Sequence, residues 1–207
     1  MTRRHELSDG QEVLVRPLLY SDRSKLAAGF AALSRQSRRL RFFDVPDELD
    51  SDDLEYLTNI DYEDHFACVA LLPDEPTPDR ADVGSVPGTG VGVGRYIREE
   101  DDPTVAEVAV TVLDEYQRRG IGTLLTRTLS DVAVGKGIRT FVNYVQWENR
   151  GAIERLVAEG ARVAPSEPGI ARVELDLPGT SDELADPYLH RLLHAFASCL
   201  ATLRAEQ

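Results

Sequence analysis

Cysteine is nearly missing from this chain: only Cys68 and Cys199 occur, both inside apolar stretches where they read as buried free thiols. So few exclude a disulfide framework and a cysteine-built metal cluster. Long apolar runs are missing too. Nowhere do 18 consecutive apolar residues occur, so no segment reads as a membrane-spanning helix. The opening "MTRRHELSDG" lacks an apolar core and does not read as a secretory leader. Positive charge is in deficit: 23 Lys and Arg stand against 36 Asp and Glu, a net charge of −13. Such a chain repels nucleic-acid phosphates. The balance fits a cytoplasmic protein whose partners are neutral or basic.

What is present suffices for one well-buried domain with additions: 207 residues, 42% of them hydrophobic. "QEVLVRPL" reads as a first strand. "SDRSKLAAGFAALS" sets Leu26, Phe30 and Leu33 at helical spacing, with Ser21 or Asp22 as cap. "SRRLRFF" and "SDDLEYLTNI" read as short helices, the second capped by Ser51, and "HFACVALL" as a strand. Residues 74–90, rich in Pro, Asp and Gly, read as a mobile surface loop.

"VGVGRYI" and "TVAEVAVTVL" follow as strands. Ile121, Leu124, Leu125, Leu129 and Val132 then make one face of a helix that "GKG" ends. "RTFVNYVQW" is a strand, "NRGAIERLVAEG" a helix and "ARVELDL" a late strand. Asp186 and Pro187 open a last amphipathic helix carrying Leu189, Leu192, Leu193, Phe196, Leu200 and Leu203. The expected fold is α/β (α+β): one domain over residues 1–178, then a linker and amphipathic helix over 179–207.

Two glycine clusters invite a phosphate reading. Gly90, Gly92 and Gly94 lie in a strand and precede no helix, so they mark a close backbone approach or a bulge. Gly120 and Gly122 sit where a strand becomes a helix. A Walker loop would need a lysine there, and a dinucleotide fingerprint a third glycine at 125; neither is present. What remains is Gln-x-x-Gly-x-Gly, Gln117 to Gly122, with Arg118 and Arg119 inside it. Free amide N–H groups at a helix N-terminus ligate pyrophosphate, and the arginines add charge. The bland alternative is a turn with solvated arginines.

In context, "AEVAVTVLDEY", Gln117–Gly122 and the later "ENRGA" resemble the acyl-CoA site of the GNAT acetyltransferase superfamily, over about residues 11–177. "SRRLRFF", "DYEDHFACVAL", "VGVGRY" and "AEVAV" resemble bacterial Pat-type protein lysine acetyltransferases. Larger Pat-type proteins carry a fused synthetase-like or sensing domain, for which these 207 residues leave no room. The resemblance implies a mixed, mostly antiparallel sheet splayed at the acyl-CoA site. It implies that acetyl-CoA pairs its pantetheine arm with the backbone of Val110 and Val112. The pyrophosphate would lie on the backbone of Gln117, Arg118, Arg119, Gly120, Ile121, Gly122 and Thr123. No metal is implied.

Glu107 is an isolated carboxylate in an apolar strand, where burial raises a carboxylate's pKa toward what a general base needs. In the family a glutamate at this strand position takes the amine proton; the alternative is an ion pair with Arg95. Asn149 opens the "NRGAIERLV" helix and can contact the coenzyme A arm, as family asparagines do, or cap the helix. Many relatives place a tyrosine at the Leu156 position to protonate the leaving thiolate; Tyr144 on the adjoining strand either substitutes for it or, as its apolar surroundings favour, packs, and the thiolate can also take its proton from water. His190 and His194 are spaced as metal ligands can be, but lack the glutamate of a zinc motif and read as solvated. Ser85, Ser166 and Ser198 lack the glycines of a nucleophile elbow.

The sequence therefore predicts an acetyl-CoA-dependent N-acetyltransferase acting on an amine. The acceptor that the resemblance to Pat-type proteins implies is a protein lysine, with an acyl-CoA synthetase as the candidate protein. A small-molecule amine acceptor and a non-catalytic acyl-CoA sensor are the alternatives. The apolar last helix is expected to pack on the domain or on a second subunit in a homodimer.

Overall fold

The computed structural model describes residues 2–180, except 8, 36, 39–47, 74–87 and 159. The predicted last helix, with Cys199, His190, His194 and Ser198, lies outside the described residues, as do Ser85 and most of "SRRLRFF".

Strands β1 (Arg3–Glu6) and β2 (Glu12–Pro17) form a hairpin. A 3-10 turn (Tyr20–Asp22) leads into α1 (Arg23–Ala32), and α2 (Ser51–Thr58) follows. Then come β3 (His65–Pro73), β4 (Gly88–Arg98) and β5 (Val105–Val112). A 3-10 turn (Asp114–Tyr116) precedes α3 (Ile121–Gly135). The chain continues through β6 (Thr140–Gln146), α4 (Arg150–Ala158), β7 (Arg162–Pro165) and β8 (Ile170–Asp176). The eight strands make one sheet in the order β1-β2-β3-β4-β5-β6-β8-β7. Every neighbouring pair is antiparallel except β5–β6. The mixed, mostly antiparallel sheet expected from the sequence is the one observed.

Several local readings change. The cap of α2 is Asp50, not Ser51: its carboxylate accepts from the N–H groups of Asp52 and Asp53, both at 2.8 Å. Asp22 takes the N-cap position of α1, as one of the two expected residues, but its side chain makes no capping bond, because Arg16 and the Leu19 N–H occupy its carboxylate. Gly88 to Gly90, assigned to the loop, already belong to β4. The short strands β1 and β7 carry too few apolar residues to be read from pattern.

The two faces of the sheet differ in what covers them. Val108, Val110 and Val112 are buried with Ile121, Leu125 and Leu129 of α3 in the main core. The strand glycines explain how closely that helix docks. A Cβ on Gly94 would lie 3.0 Å from Leu129 Cδ1, and one on Gly92 would lie 3.1 Å from Leu125 Cδ1. Both expected roles are realised, since the β3–β4 register also shifts between Ala70 and Leu71 beside Gly90 and Gly92. Ile153 and Leu156 of α4 join the same core. Helices α1 and α2 lie on the opposite face, where a cavity runs between them and β3 to β5.

Candidate active site

The site begins where the sheet comes apart. β5 and β6 pair only through Val105–Thr140, Ala106–Phe141 and Glu107–Val142. Beyond Glu107 the two parallel strands have no further register, which opens a gap between them. The Leu113 N–H bonds Val91 O at 2.9 Å, so the odd-numbered residues of β5 bond toward β4. The backbone groups of Val108, Val110 and Val112 therefore face the gap. Two carbonyls there are already taken: Asn143 Nδ2 donates to Val108 O at 2.8 Å, and Gln117 Nε2 to Val112 O at 3.1 Å. Among the described residues neither the N–H nor the carbonyl of Val110 has a partner on that open edge.

At the far end of the gap, Arg118 has φ 60° and Gly120, the residue before α3, has φ 90°. Left-handed residues so close together turn successive N–H groups to one side, a nest suited to an anion. Among the described residues no oxygen accepts from the N–H groups of Arg118, Arg119, Gly120, Ile121, Gly122 or Thr123; the first to be answered is Leu124, bonded to Gly120 O. A Cβ added at Gly120 would meet nothing within 4 Å. The α3 dipole adds to this anion-seeking character.

The two arginines divide their work. Arg118 is exposed, with its side chain at the open surface. Arg119 reaches across to Asp9 and Gln11 in the β1–β2 hairpin and lies over the Tyr116 ring at 5.6 Å. Asp114 braces the turn from the other side, accepting from Ser34 N–H at 3.0 Å and from Ser37 Oγ at 2.7 Å. Burial pushes its carboxyl up, but these bonds outweigh that and hold it below its ordinary range. Neither Asp114 nor Asn143 was singled out in the sequence. Asn143, a lone amide inside the apolar "RTFVNYVQW", carried the one usable signal.

On the other bank of the gap, Asn149 stands at the start of α4, its carbonyl accepting from Ile153 N–H at 3.1 Å. Its Nδ2 is buried and has no hydrogen-bond partner among the described residues. An orphaned buried donor is costly, and a ligand carbonyl lying in the gap would answer it. The residues present thus fit an acyl-CoA: an anion nest, an open strand edge and a waiting amide.

Glu107 projects from the face opposite the main core. It is half-buried, and no hydrogen bond or ion pair involves its carboxylate among the described residues. Arg95, the ion-pair partner the sequence allowed, instead donates to Leu57 O at 3.3 Å and to His65 Nε2 at 3.0 Å. The His65 ring therefore accepts through Nε2 and is neutral; burial and the adjacent guanidinium hold its pKa down to about 4. Two residues along β5 from Glu107, Ala109 lines the cavity with Leu26, Phe30, Leu57, Val93 and Arg95. Leu156 is 1% exposed in the main core and carries no titratable proton. Among the described residues no group of three His, Cys, Asp or Glu is placed to hold a metal ion. No helix among them is long and apolar enough to cross a membrane.

The acetyltransferase (GNAT) family model matches residues 35–156, which take in the nest, the gap and most of α4. This chain belongs to the GNAT acetyltransferase family. A Pseudomonas aeruginosa acetyltransferase is 33% identical to this GNAT protein over 156 residues, 74% of the chain and 77% of that relative. The acetyltransferase Pat of Mycolicibacterium smegmatis is 29% identical over 184 residues, 89% of the chain. The chain spans about half the length of that relative, 51%. The GNAT domain of S. lividans PAT superposes with TM-score 0.70 at 27% identity, over 85% of this chain and 97% of that one.

Proposed function

We propose that this acetyltransferase moves the acetyl group of acetyl-CoA onto the side-chain amine of a protein lysine, by direct attack in a ternary complex. The row of unanswered N–H groups from Arg118 to Thr123, beside the open edge of β5, carries the reading. Pyrophosphate would lie on that row, the pantetheine amides along Val110 and the N–H of Val112, and Asn149 Nδ2 would donate to the same arm. The thioester then lies toward the closed end of the gap, where Glu107 stands on the opposite face.

A lysine has a pKa of about 10.4, so on the order of one in a thousand is neutral at pH 7. Glu107 takes the amine proton, directly or through water, and no hydrogen bond or ion pair occupies its carboxylate among the described residues. The likeness to Pat proteins supports a lysine acceptor, with an acyl-CoA synthetase as the protein to try first. Leu156 in the core favours one other reading, a sensor that binds acyl-CoA without turnover.

Labelled acetyl-CoA offered with an acyl-CoA synthetase, and separately with free amines, tests the proposal. Label on synthetase lysines is the expected result. Label on small amines alone would move the acceptor class, and binding without transfer would establish the sensor.

A further inference from the structure

Arg118 holds a φ of 60°, a left-handed conformation that is strained for an arginine and persists only where its neighbours over-determine it. The side chains on either side of it are both pinned. Gln117 donates its Nε2 to Val112 O at 3.1 Å. Arg119 donates Nε to Asp9 Oδ2 at 2.8 Å and Nη2 to Gln11 Oε1 at 2.5 Å, with its guanidinium over the Tyr116 ring. Asp9 and Gln11 lie 110 and 108 residues away in sequence, in the connection between β1 and β2.

That connection is built to aim its acceptors. Gln11 N–H donates to Asp9 Oδ1 at 3.1 Å, so one carboxylate oxygen is held by its own turn while the other faces Arg119. Leu7 N–H donates to Gln11 O at 2.9 Å and closes the turn. Further along α3, Arg3 Nη1 pairs with Asp131 Oδ2 at 3.0 Å, a second tie between hairpin and helix. The hairpin is thus fixed against α3, and Arg119 carries that fixed position to the nest.

Simple electrostatics would not put Asp9 there. A carboxylate beside an anion nest repels a pyrophosphate, and an arginine spent on that carboxylate gives up charge the ligand could use. Nor does an exposed ion pair contribute much to the fold. What the contact does supply is geometry at the residue between Arg118 and Gly120, the two left-handed positions of the nest.

Resting on the acetyl-CoA reading of this site, we infer that Asp9 and Gln11 are positioning residues for the pyrophosphate, acting through Arg119. The Arg119 guanidinium does not go to the phosphate. It anchors the backbone, so that the N–H groups from Arg118 to Thr123 point one way before the ligand arrives. Donors arranged in advance need no ordering when the anion binds, and the gain falls on the pyrophosphate alone. The hairpin thereby favours an acyl thioester that carries a pyrophosphate over one that ends at pantetheine.

The test is Asp9→Ala in the full chain, titrated calorimetrically with acetyl-CoA and with S-acetylpantetheine, which lacks the pyrophosphate. Kd for acetyl-CoA should rise about fivefold, the scale of one exposed charged pair, and Kd for S-acetylpantetheine should stay within about twofold of wild type. Arg119→Gln should raise Kd for acetyl-CoA by the same factor, and the two changes together by no more than either alone. Asp9→Asn, which keeps an acceptor for Arg119, should recover part of the loss. Unchanged or tighter acetyl-CoA binding in Asp9→Ala overturns the inference; tighter binding would make Asp9 a competitor of the phosphate for Arg119. A loss in Arg119→Gln well beyond that in Asp9→Ala overturns it by putting the guanidinium on the ligand. Equal losses for both ligands overturn it as well, since they mark a general structural role. If wild type binds neither ligand, the acetyl-CoA reading itself fails, and this inference with it.

Discussion

Asn143 donates its Nδ2 to the carbonyl of Val108 at 2.8 Å, across a gap where the two strands have stopped pairing. A side chain thus replaces a ladder bond at the point where the sheet parts. Asn143→Ala should cost about 1 kcal/mol from the lost bond and the orphaned carbonyl. It should also raise KM for acetyl-CoA, since the width of the gap is then less fixed. Denaturant unfolding and steady-state kinetics check both; unchanged KM would mean the gap holds its shape without the amide.

Acetyl-CoA should raise the melting temperature, by about 2.7 kcal/mol of stabilisation at a hundred times its Kd. Gly120→Glu should abolish that rise. The new side chain has open space at its root, so the cost to the apo protein is the left-handed φ of 90°, about 1 kcal/mol. The carboxylate, however, would enter the anion nest. A folded variant that still shifts with acetyl-CoA removes the nest from the binding site.

Glu107→Gln should keep acetyl-CoA affinity and lose about 10² to 10⁴ in turnover at pH 7. The loss should shrink as pH rises, because more of the acceptor amine is then already neutral. Turnover within twofold of wild type at pH 7 would assign the proton to solvent.

His65 should make the fold sensitive to mild acid. Its folded pKa of about 4 lies below the ordinary 6.5. Between those values the unfolded chain binds a proton that the folded chain does not, so stability rises with pH across that window and falls on acidification through it. Asp22 acts lower: its folded pKa is depressed, so its contribution is lost as pH drops below the ordinary carboxylate range. His65→Gln, which can still accept from Arg95, should flatten the Tm profile from about pH 6.5 to about pH 4 relative to wild type. Parallel profiles would show that other groups govern acid sensitivity.

Gly94→Val should destabilise by about 1 to 3 kcal/mol, because its Cβ alone would press on Leu129 and Leu125 of α3. Gly90→Ala should be nearly neutral, its nearest neighbour being Leu71 Cδ2 at 3.9 Å. Chemical denaturation of the two variants separates a helix-docking glycine from a permissive one.

The sequence by itself determined the elements whose pattern is local. Alternating Val108, Val110 and Val112 and the periodic Ile121, Leu125 and Leu129 fix a strand and a helix, because burial of one face imposes periods of two and of 3.6 residues. Gly120 before that helix marked a turn, and the structure has a left-handed φ of 90° there, which glycine adopts without strain. What no local pattern carries is which strands part and what fills the gap. The end of β5–β6 pairing at Glu107, Asn143 bridging to Val108 and Arg119 turning to Asp9 all join residues far apart in the chain. Tyr144 shows the difference most plainly. In the sequence it is an aromatic in an apolar strand with no partner to orient it; a guanidinium on β8, held by carboxylates just past β4 and on β8, gives its hydroxyl a direction only once the sheet has assembled.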